Sequence, residues 1–296
     1  MCLIAFAWRP EHAVPLVVAA NRDEFYARPT LPLAAWEDVP AVIAGRDLQA
    51  GGSWLGLGPD GRFAALTNIR DPGQAPGRRS RGELVAQFLT GGMSIDDYLL
   101  EVRSRVREYA GFNLLLGCFA PPHAARPGGR VAGKATAQQG PTAGGEQASG
   151  TAMGERLDHQ ARQAPSPPRL VYFNSALEQP IDLAAGVYGL SNASLDTPWP
   201  KLLQARASLA AHLDAPHAHP LLAFLADPGQ AAEAQLPDTG VGLATEKLLS
   251  SVFIASPTYG TRASTVVIIN ADGTRQITER SFGPYGGHLG EVSLKC

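Results

Sequence analysis

Eight strand-length runs recur along the chain, and several are apolar on consecutive residues rather than on alternate ones. They are CLIAFA from Cys2, LVVAA from Leu16, RFAALTN from Arg62, FNLLLGCF from Phe112, LVYFN from Leu170, SVFIAS from Ser251, STVVIIN from Ser264 and QITERSF from Gln276. A strand apolar on both sides has to be covered on both sides, so these runs predict sheets sandwiched between other layers. The joints at Pro59-Asp60-Gly61 and Ala271-Asp272-Gly273 carry hairpin chemistry, which makes much of the sheet antiparallel. Ser80 with Glu83 forms a capping-box pattern ahead of an apolar stripe at Leu84, Val85, Phe88 and Leu89. Ser94 with Asp97 marks a second helix, whose face is Ile95, Tyr98, Leu99, Val102 and Val106 and whose stop is Gly111. Pro200 suits a first helical position for a helix running to Leu213, and a shorter one follows Pro220. Covered sheets with helices in pairs amount to a layered α+β sandwich.

Composition narrows the function classes. Of 296 residues 45% are hydrophobic and 18% charged, with a net charge of −2. That is enough apolar material for a sizeable core and too little excess basic charge for a nucleic-acid footprint. No apolar run reaches the roughly 18 residues of a membrane span, so no integral membrane segment is expected. The stretch from 121 to 168 holds eight Gly, seven Pro and no aromatic residue. Such a segment cannot build a core, and it reads as a disordered insertion between strands that belong together in one domain. The cysteines Cys2, Cys118 and Cys296 fit neither a disulfide framework nor a zinc spacing, and a reducing cytoplasm is the expected home. Cys118 lies inside an apolar run and reads as a small buried hydrophobe.

Several motifs fall to their context. Gly56-Leu57-Gly58-Pro59-Asp60-Gly61 has the spacing of a dinucleotide fingerprint, but a strand rather than a helix follows it. His212, His217 and His219 with Asp214 lack the partners of a metal site, so no metal is expected. Arg78, Arg79 and Arg81 form a basic cluster that reads first as a solvated face. No Gly-x-Ser-x-Gly elbow occurs. Cys2 is the more informative residue. Removal of a methionine ahead of a small residue leaves Cys2 with a free α-amine, whose ordinary pKa of about 7.7–8.0 makes it a base beside the thiol near neutral pH. One residue then supplies nucleophile and proton acceptor. A strand paired with that of Cys2 and ending in Asn21-Arg22-Asp23-Glu24 brings polar groups to the thiol. Asn21 and Asp23 share one face and Arg22 the other, and the sequence leaves open which of them meets Cys2.

Taken in order, MCLIAF, AANRDEFYARP, GGSWLGL, RFAALTN, RGELVAQFL, GFNLL, YGLSNASLDTPWPK, AQLPD and YGTRASTVV closely resemble the NRDE family, also called the transport and Golgi organisation protein two family. That family is similar to the N-terminal nucleophile hydrolases, which implies a four-layer αββα sandwich and the opening of amide bonds. By resemblance Cys2 is the nucleophile, and Arg22 and Asp23 correspond to a flanking pair. Asn68 corresponds to an oxyanion-hole asparagine, Asn192 to a second asparagine near the scissile amide, and Arg262 to a late pocket arginine. In those hydrolases the Arg and Asp stand three apart, whereas here they adjoin, so at most one keeps the inherited geometry. The resemblance implies a small-molecule amide as substrate and no cofactor. The competing reading is a carrier on the same fold, whose pocket takes a hydrophobic ligand such as haem or a lipid. Fold alone does not choose between them.

Overall fold

The structure is a computed structural model that describes residues 2–119 and 167–296. The insertion expected at 121–168 therefore lies, apart from Pro167 and Pro168, outside the described residues. In chain order the strands are β1 (Cys2–Trp8), β2 (Leu16–Phe25), β3 (Thr30–Ala35), β4 (Ile43–Asp47), β5 (Leu55–Leu57), β6 (Arg62–Asn68) and β7 (Phe112–Cys118). They continue with β8 (Arg169–Asn174), β9 (Pro180–Asp182), β10 (Gly186–Leu190), β11 (Tyr259–Ile269), β12 (Arg275–Phe282) and β13 (His288–Lys295). The helices are α1 (Gly82–Thr90), α2 (Ile95–Ser104), α3 (Pro200–Ala210), α4 (Ala218–Leu225) and α5 (Leu243–Leu249).

Among the described residues the strands form two sheets, ordered β10-β1-β2-β11-β12-β13 and β3-β4-β5-β6-β7-β8-β9. Every pairing in them is antiparallel. The fold is α+β, with mixed helices and, among the described residues, no closed barrel.

The consecutive apolar runs have the physical cause expected of them. On β1, Ile4, Phe6 and Trp8 pack with Leu57, Phe63, Leu115 and Tyr172 of the second sheet, while Leu3, Ala5 and Ala7 pack with Leu202, Leu209 and Leu222 of α3 and α4. On the second sheet Ala64, Leu114 and Leu116 meet Leu84, Phe88 and Leu99 of α1 and α2. Alternate residues of one strand thus enter different cores. Both predicted hairpins form. Asp60 and Gly61 take φ of 53° and 73°, the left-handed pair of a two-residue turn between β5 and β6. Either side of the undescribed segment, β7 pairs with β8 in register, Cys118 opposite Arg169.

Three local expectations are corrected. Ser251–Ser256 is not a strand, because its main chain is held elsewhere: Val252 O accepts from Asn21 Nδ2, Phe253 N–H donates to Asp227 O, and Ile254 N–H donates to Thr261 Oγ1. Ser80 does not cap α1. Arg81 sits at that position without a side-chain cap, and Glu83 accepts instead from Arg79 and the Tyr109 hydroxyl. The α2 helix stops at Ser104, well before Gly111, although its start is as expected, with Ser94 Oγ accepting from Asp97 N–H at 3.1 Å.

Candidate active site

Cys2 opens β1 and lies directly opposite Arg22 on β2. Residues opposite one another in an antiparallel ladder point to the same face, so Arg22 joins Cys2, Ile4, Phe6 and Trp8 between the sheets. By register Arg22 shares the Cys2 face of β2, and Asn21 and Asp23 lie on the face towards the helices. Arg22 is buried, and its guanidinium lies 4.2 Å from the ring centroid of Trp54, with Nη1 reaching Thr30 Oγ1 at 3.4 Å. Asn21 is a structural pin, donating to Leu225 O and Val252 O at 2.8 Å each and accepting from Ser264 Oγ at 2.6 Å.

Asp23 is only 1% exposed, and its Oδ1 accepts from Thr261 Oγ1 at 2.8 Å. Here β11 is bulged: Thr261 opposes Asp23 and Ala263 opposes Arg22, leaving Arg262 as the extra residue. A bulge re-aims the side chain it carries. Arg262 accordingly leaves the ladder and donates to the carbonyls of Phe25, Tyr26 and Arg28 at 3.0, 3.3 and 2.7 Å, clamping the turn that follows β2.

A cleft of about 450 Å³ opens at Cys2, lined among others by Arg22, Asp23, Trp54, Asn68, Arg79 and Arg81. A second cleft of about 320 Å³ lies beyond the Arg22–Trp54 stack, and Arg262 lines that one. Asn68, at the end of β6, shares the first cleft with Cys2. Asn192 is buried, and its Nδ2 donates to Asn68 O at 2.8 Å while its own carbonyl accepts from Arg70 N–H at 2.7 Å. Its amide therefore holds the main chain of Asn68. Ser191 Oγ donates to the Cys2 carbonyl at 3.0 Å, tying the same loop to β1. The structure thus brings Cys2, Arg22, Asp23 and Asn68 to one cleft, sets Asn192 behind Asn68, and directs the Arg262 guanidinium to the turn after β2.

Electrostatics favour a protonated thiol in the resting site. Burial pushes the Cys2 thiol up, and Asp23 adds to this, while Arg22 and the Asp23 backbone N–H pull it down. Burial likewise pushes the Asp23 carboxyl above the usual carboxylate range, opposed first by Lys201. Arg81 faces Cys2 from the rim, its Nη1 donating to Gly111 O at 3.0 Å. Among the described residues no three His, Cys, Asp or Glu side chains gather as a metal ion requires, and no helix is long and apolar enough to cross a membrane. His212 Nδ1 lies 2.7 Å from Ser208 O at the end of α3.

Sequence reasoning passed over Lys201, Trp54, Thr261 and the ion pair of Arg70 with Glu246 at 2.7 Å. One signal was available for Lys201, because a cation in the first turn of a helix opposes the macrodipole and calls for an external reason. The others become neighbours only through pairing between distant segments.

The chain resembles known proteins along nearly its whole length. A family model described as Transport and Golgi organisation 2 matches residues 1–284. The Transport and Golgi organization protein 2 homolog of Homo sapiens is 33% identical over 299 residues, 95% of this chain and 93% of the relative. The Transport and Golgi organization 2 homolog of Mus musculus is 32% identical over 299 residues with the same coverage, 95% and 93%. The Transport and Golgi organization protein 2 of Drosophila melanogaster is 34% identical over 109 residues, covering 34% of this chain and 38% of its own length. With such matches spanning both sheets and the Cys2 cleft, the chain belongs to the Transport and Golgi organisation 2 family.

Proposed function

We propose that the protein is an N-terminal nucleophile amidohydrolase, a cysteine enzyme acting on a linear carbon–nitrogen bond from an αββα sandwich interrupted between β7 and β8. The observation that carries this is the placement of Cys2 at the head of β1, opposite Arg22, beside Asp23 and at the mouth of a 450 Å³ cleft. The three cores separating two sheets and two helix pairs support the sandwich.

In this reading Met1 is removed and the α-amine of Cys2 takes the thiol proton as Sγ bonds to the substrate carbonyl carbon. The Asn68 side chain, set by Asn192, donates to the resulting oxyanion. The amine returns the proton to the leaving nitrogen as the C–N bond breaks, leaving an acyl thioester on Cys2. Water, deprotonated by the same amine, attacks that thioester and releases the acid and the thiol. Asp23, on the helix side of the strand's first residue, is the acceptor that orients the amine.

The alternative of a hydrophobic-ligand carrier has less support at this cleft, whose wall is rich in Arg22, Arg28, Arg79, Arg81 and Asp47, with Trp54 and Leu66 as the larger apolar groups. The test is turnover of a panel of acyl-amides by protein whose intact mass shows loss of Met1. A Cys2-linked acyl adduct and no turnover by Cys2→Ala are expected. Equal turnover by Cys2→Ala removes the reading, and saturable haem or lipid binding without turnover replaces it with the carrier.

A further inference from the structure

The Cys2 cleft holds more cations than its own acids answer. Its wall carries Arg22, Arg28, Arg78, Arg79 and Arg81 against the carboxylates of Asp23, Glu24 and Asp47. Arg28 donates to Asp47 Oδ2 through Nε at 3.1 Å and Nη2 at 2.5 Å, with Glu24 at 4.0 Å, so two of those acids face a single guanidinium. Asp23 accepts from Thr261 and by register lies on the other face of β2 from Arg22. Arg79 pairs with Glu83 and Glu108. The basic cluster of the sequence therefore divides: Arg78 is exposed and solvated, Arg79 is neutralised, and Arg81 is half-buried at the rim.

Arg22 and Arg81 are left over. Among the described residues neither forms an ion pair. Arg22 is 7% exposed, and its hydrogen bond to Thr30 Oγ1 is a long one at 3.4 Å. Its guanidinium stacks on Trp54 at 4.2 Å, which engages the face of the group while its donors lie in the plane. Arg81 is anchored by one nitrogen, Nη1, to Gly111 O at 3.0 Å. A guanidinium drawn out of water without a countercharge is costly, and the planar anion that matches its fork of donors is a carboxylate. The start of α1 adds the same sign. Gly82, its first residue, lines the cleft, and no side chain caps the helix.

We propose that the substrate of the Cys2 cleft is an amide bearing a carboxylate close to the scissile bond, as in an N-acyl amino acid, and that Arg22 and Arg81 bind that carboxylate. The proposal rests on the amidohydrolase reading and narrows it to a substrate class. Arg22 stands opposite Cys2 across the β1–β2 ladder, so the anion it takes lies near the carbonyl that Sγ attacks. In an N-acyl amino acid a single carbon separates the carboxylate from the scissile nitrogen. Addition of one water across the C–N bond then yields the free acid and the amino acid.

The test uses the full chain lacking Met1 for turnover and its Cys2→Ala variant for binding. The probes are N-hexanoylglycine, its neutral analogue N-hexanoylglycinamide, and N-hexanoylaminomethylphosphonate. By calorimetry Cys2→Ala should bind N-hexanoylglycine about tenfold or more tightly than the glycinamide, and hexanoate release by the wild type should show the same preference in kcat/KM. Arg81→Gln should reduce both preferences to a few-fold or less, and Arg81→Lys should restore part of them. Arg22→Gln should act like Arg81→Gln; should it fail to fold, Arg22→Lys, which keeps the charge but not the fork, should lose the preference severalfold. Equal binding of N-hexanoylglycine and the glycinamide overturns the proposal without recourse to any arginine variant. A folded Arg81→Gln or Arg22→Lys protein with the full preference also overturns it. Binding of the phosphonate tenfold more tightly than the carboxylate, lost in Arg81→Gln, assigns the arginines to a phosphoryl group and overturns the carboxylate class. A carboxylate preference in binding with no hexanoate release fails the hydrolase and keeps the arginine site, while release from both amides at equal kcat/KM does the reverse.

Discussion

A thiol in a half-buried cleft is governed by opposing influences, and at Cys2 burial outweighs the attraction of Arg22. The sign follows directly: the thiol stays protonated over a wider pH range than a free one. In chain that retains Met1, Cys2 should alkylate slowly at neutral pH, and its rate should still be rising above the ordinary thiol value of about 8.5 when followed by peptide mass. Asn68 is the cleft-lining asparagine, so Asn68→Ala should lower kcat by about 10²–10³ without lowering the melting temperature appreciably, read by turnover beside thermal unfolding. Asn192→Ala should lose activity together with stability, because its side-chain amide holds Asn68 O, while the main-chain bond from Arg70 N–H to residue 192 is kept. Cys2 was singled out as the candidate from its chain position and chemistry alone. The faces taken by Arg22 and Asp23 were not legible, since a strand displays both faces in its sequence and only the partner's register says which one Cys2 shares.

At the level of elements, the β11 bulge joins two sites. It lets Thr261 reach Asp23 while Arg262 leaves to clamp the turn after β2. Arg262→Met leaves the carbonyls of Phe25, Tyr26 and Arg28 without that donor, and a loss of about 1–3 kcal/mol is expected in urea unfolding. Elements with strong local signals were read correctly: β1, β2, β6, β7, β8 and β12 from their apolar runs, and the start of α2 from the Ser94 cap. The strand β13 alternates between exposed and half-exposed residues, and β3 buries only Leu33, so neither carries an apolar run to read. The Ser251–Ser256 run erred in the opposite sense. Its residues are as apolar as a strand's, but Asn21 and Thr261 bind its main chain where a neighbouring strand would have to be.

Across the whole molecule, the two sheets are joined by a buried carboxylate as well as by side-chain packing. Glu279 on β12 accepts from Leu33 N–H on β3 at 2.8 Å and from Thr265 Oγ1 at 3.2 Å. The donor is available because β3 shifts register between Leu31 and Ala34. Burial pushes the Glu279 carboxyl above its ordinary value of 4.5. A group that binds its proton more tightly when folded supports the fold below its unfolded pKa and loses that support as pH rises through the folded value. Glu279→Gln keeps an acceptor for Leu33 and removes the titration. The variant should therefore gain stability relative to wild type between about pH 5 and pH 8, measured as the difference in urea midpoints. A constant difference over that range contradicts the assignment.

The sequence by itself determined what short-range chemistry can encode: strands apolar on both sides that demand covering layers, left-handed turn residues at Asp60-Gly61, and a cysteine second in the chain. Tertiary structure alone decided the site around that cysteine. Lys201 and Glu246 stand about 200 or more positions from Cys2 in the chain, and no local pattern reports which distant charges a fold will bury together. The burial of α3 against β1 depends on β1 lying between β10 and β2 and on α3 crossing its outer face. Periodicity tells a residue whether it is inside; only the packing of whole layers tells a buried charge which partner it has.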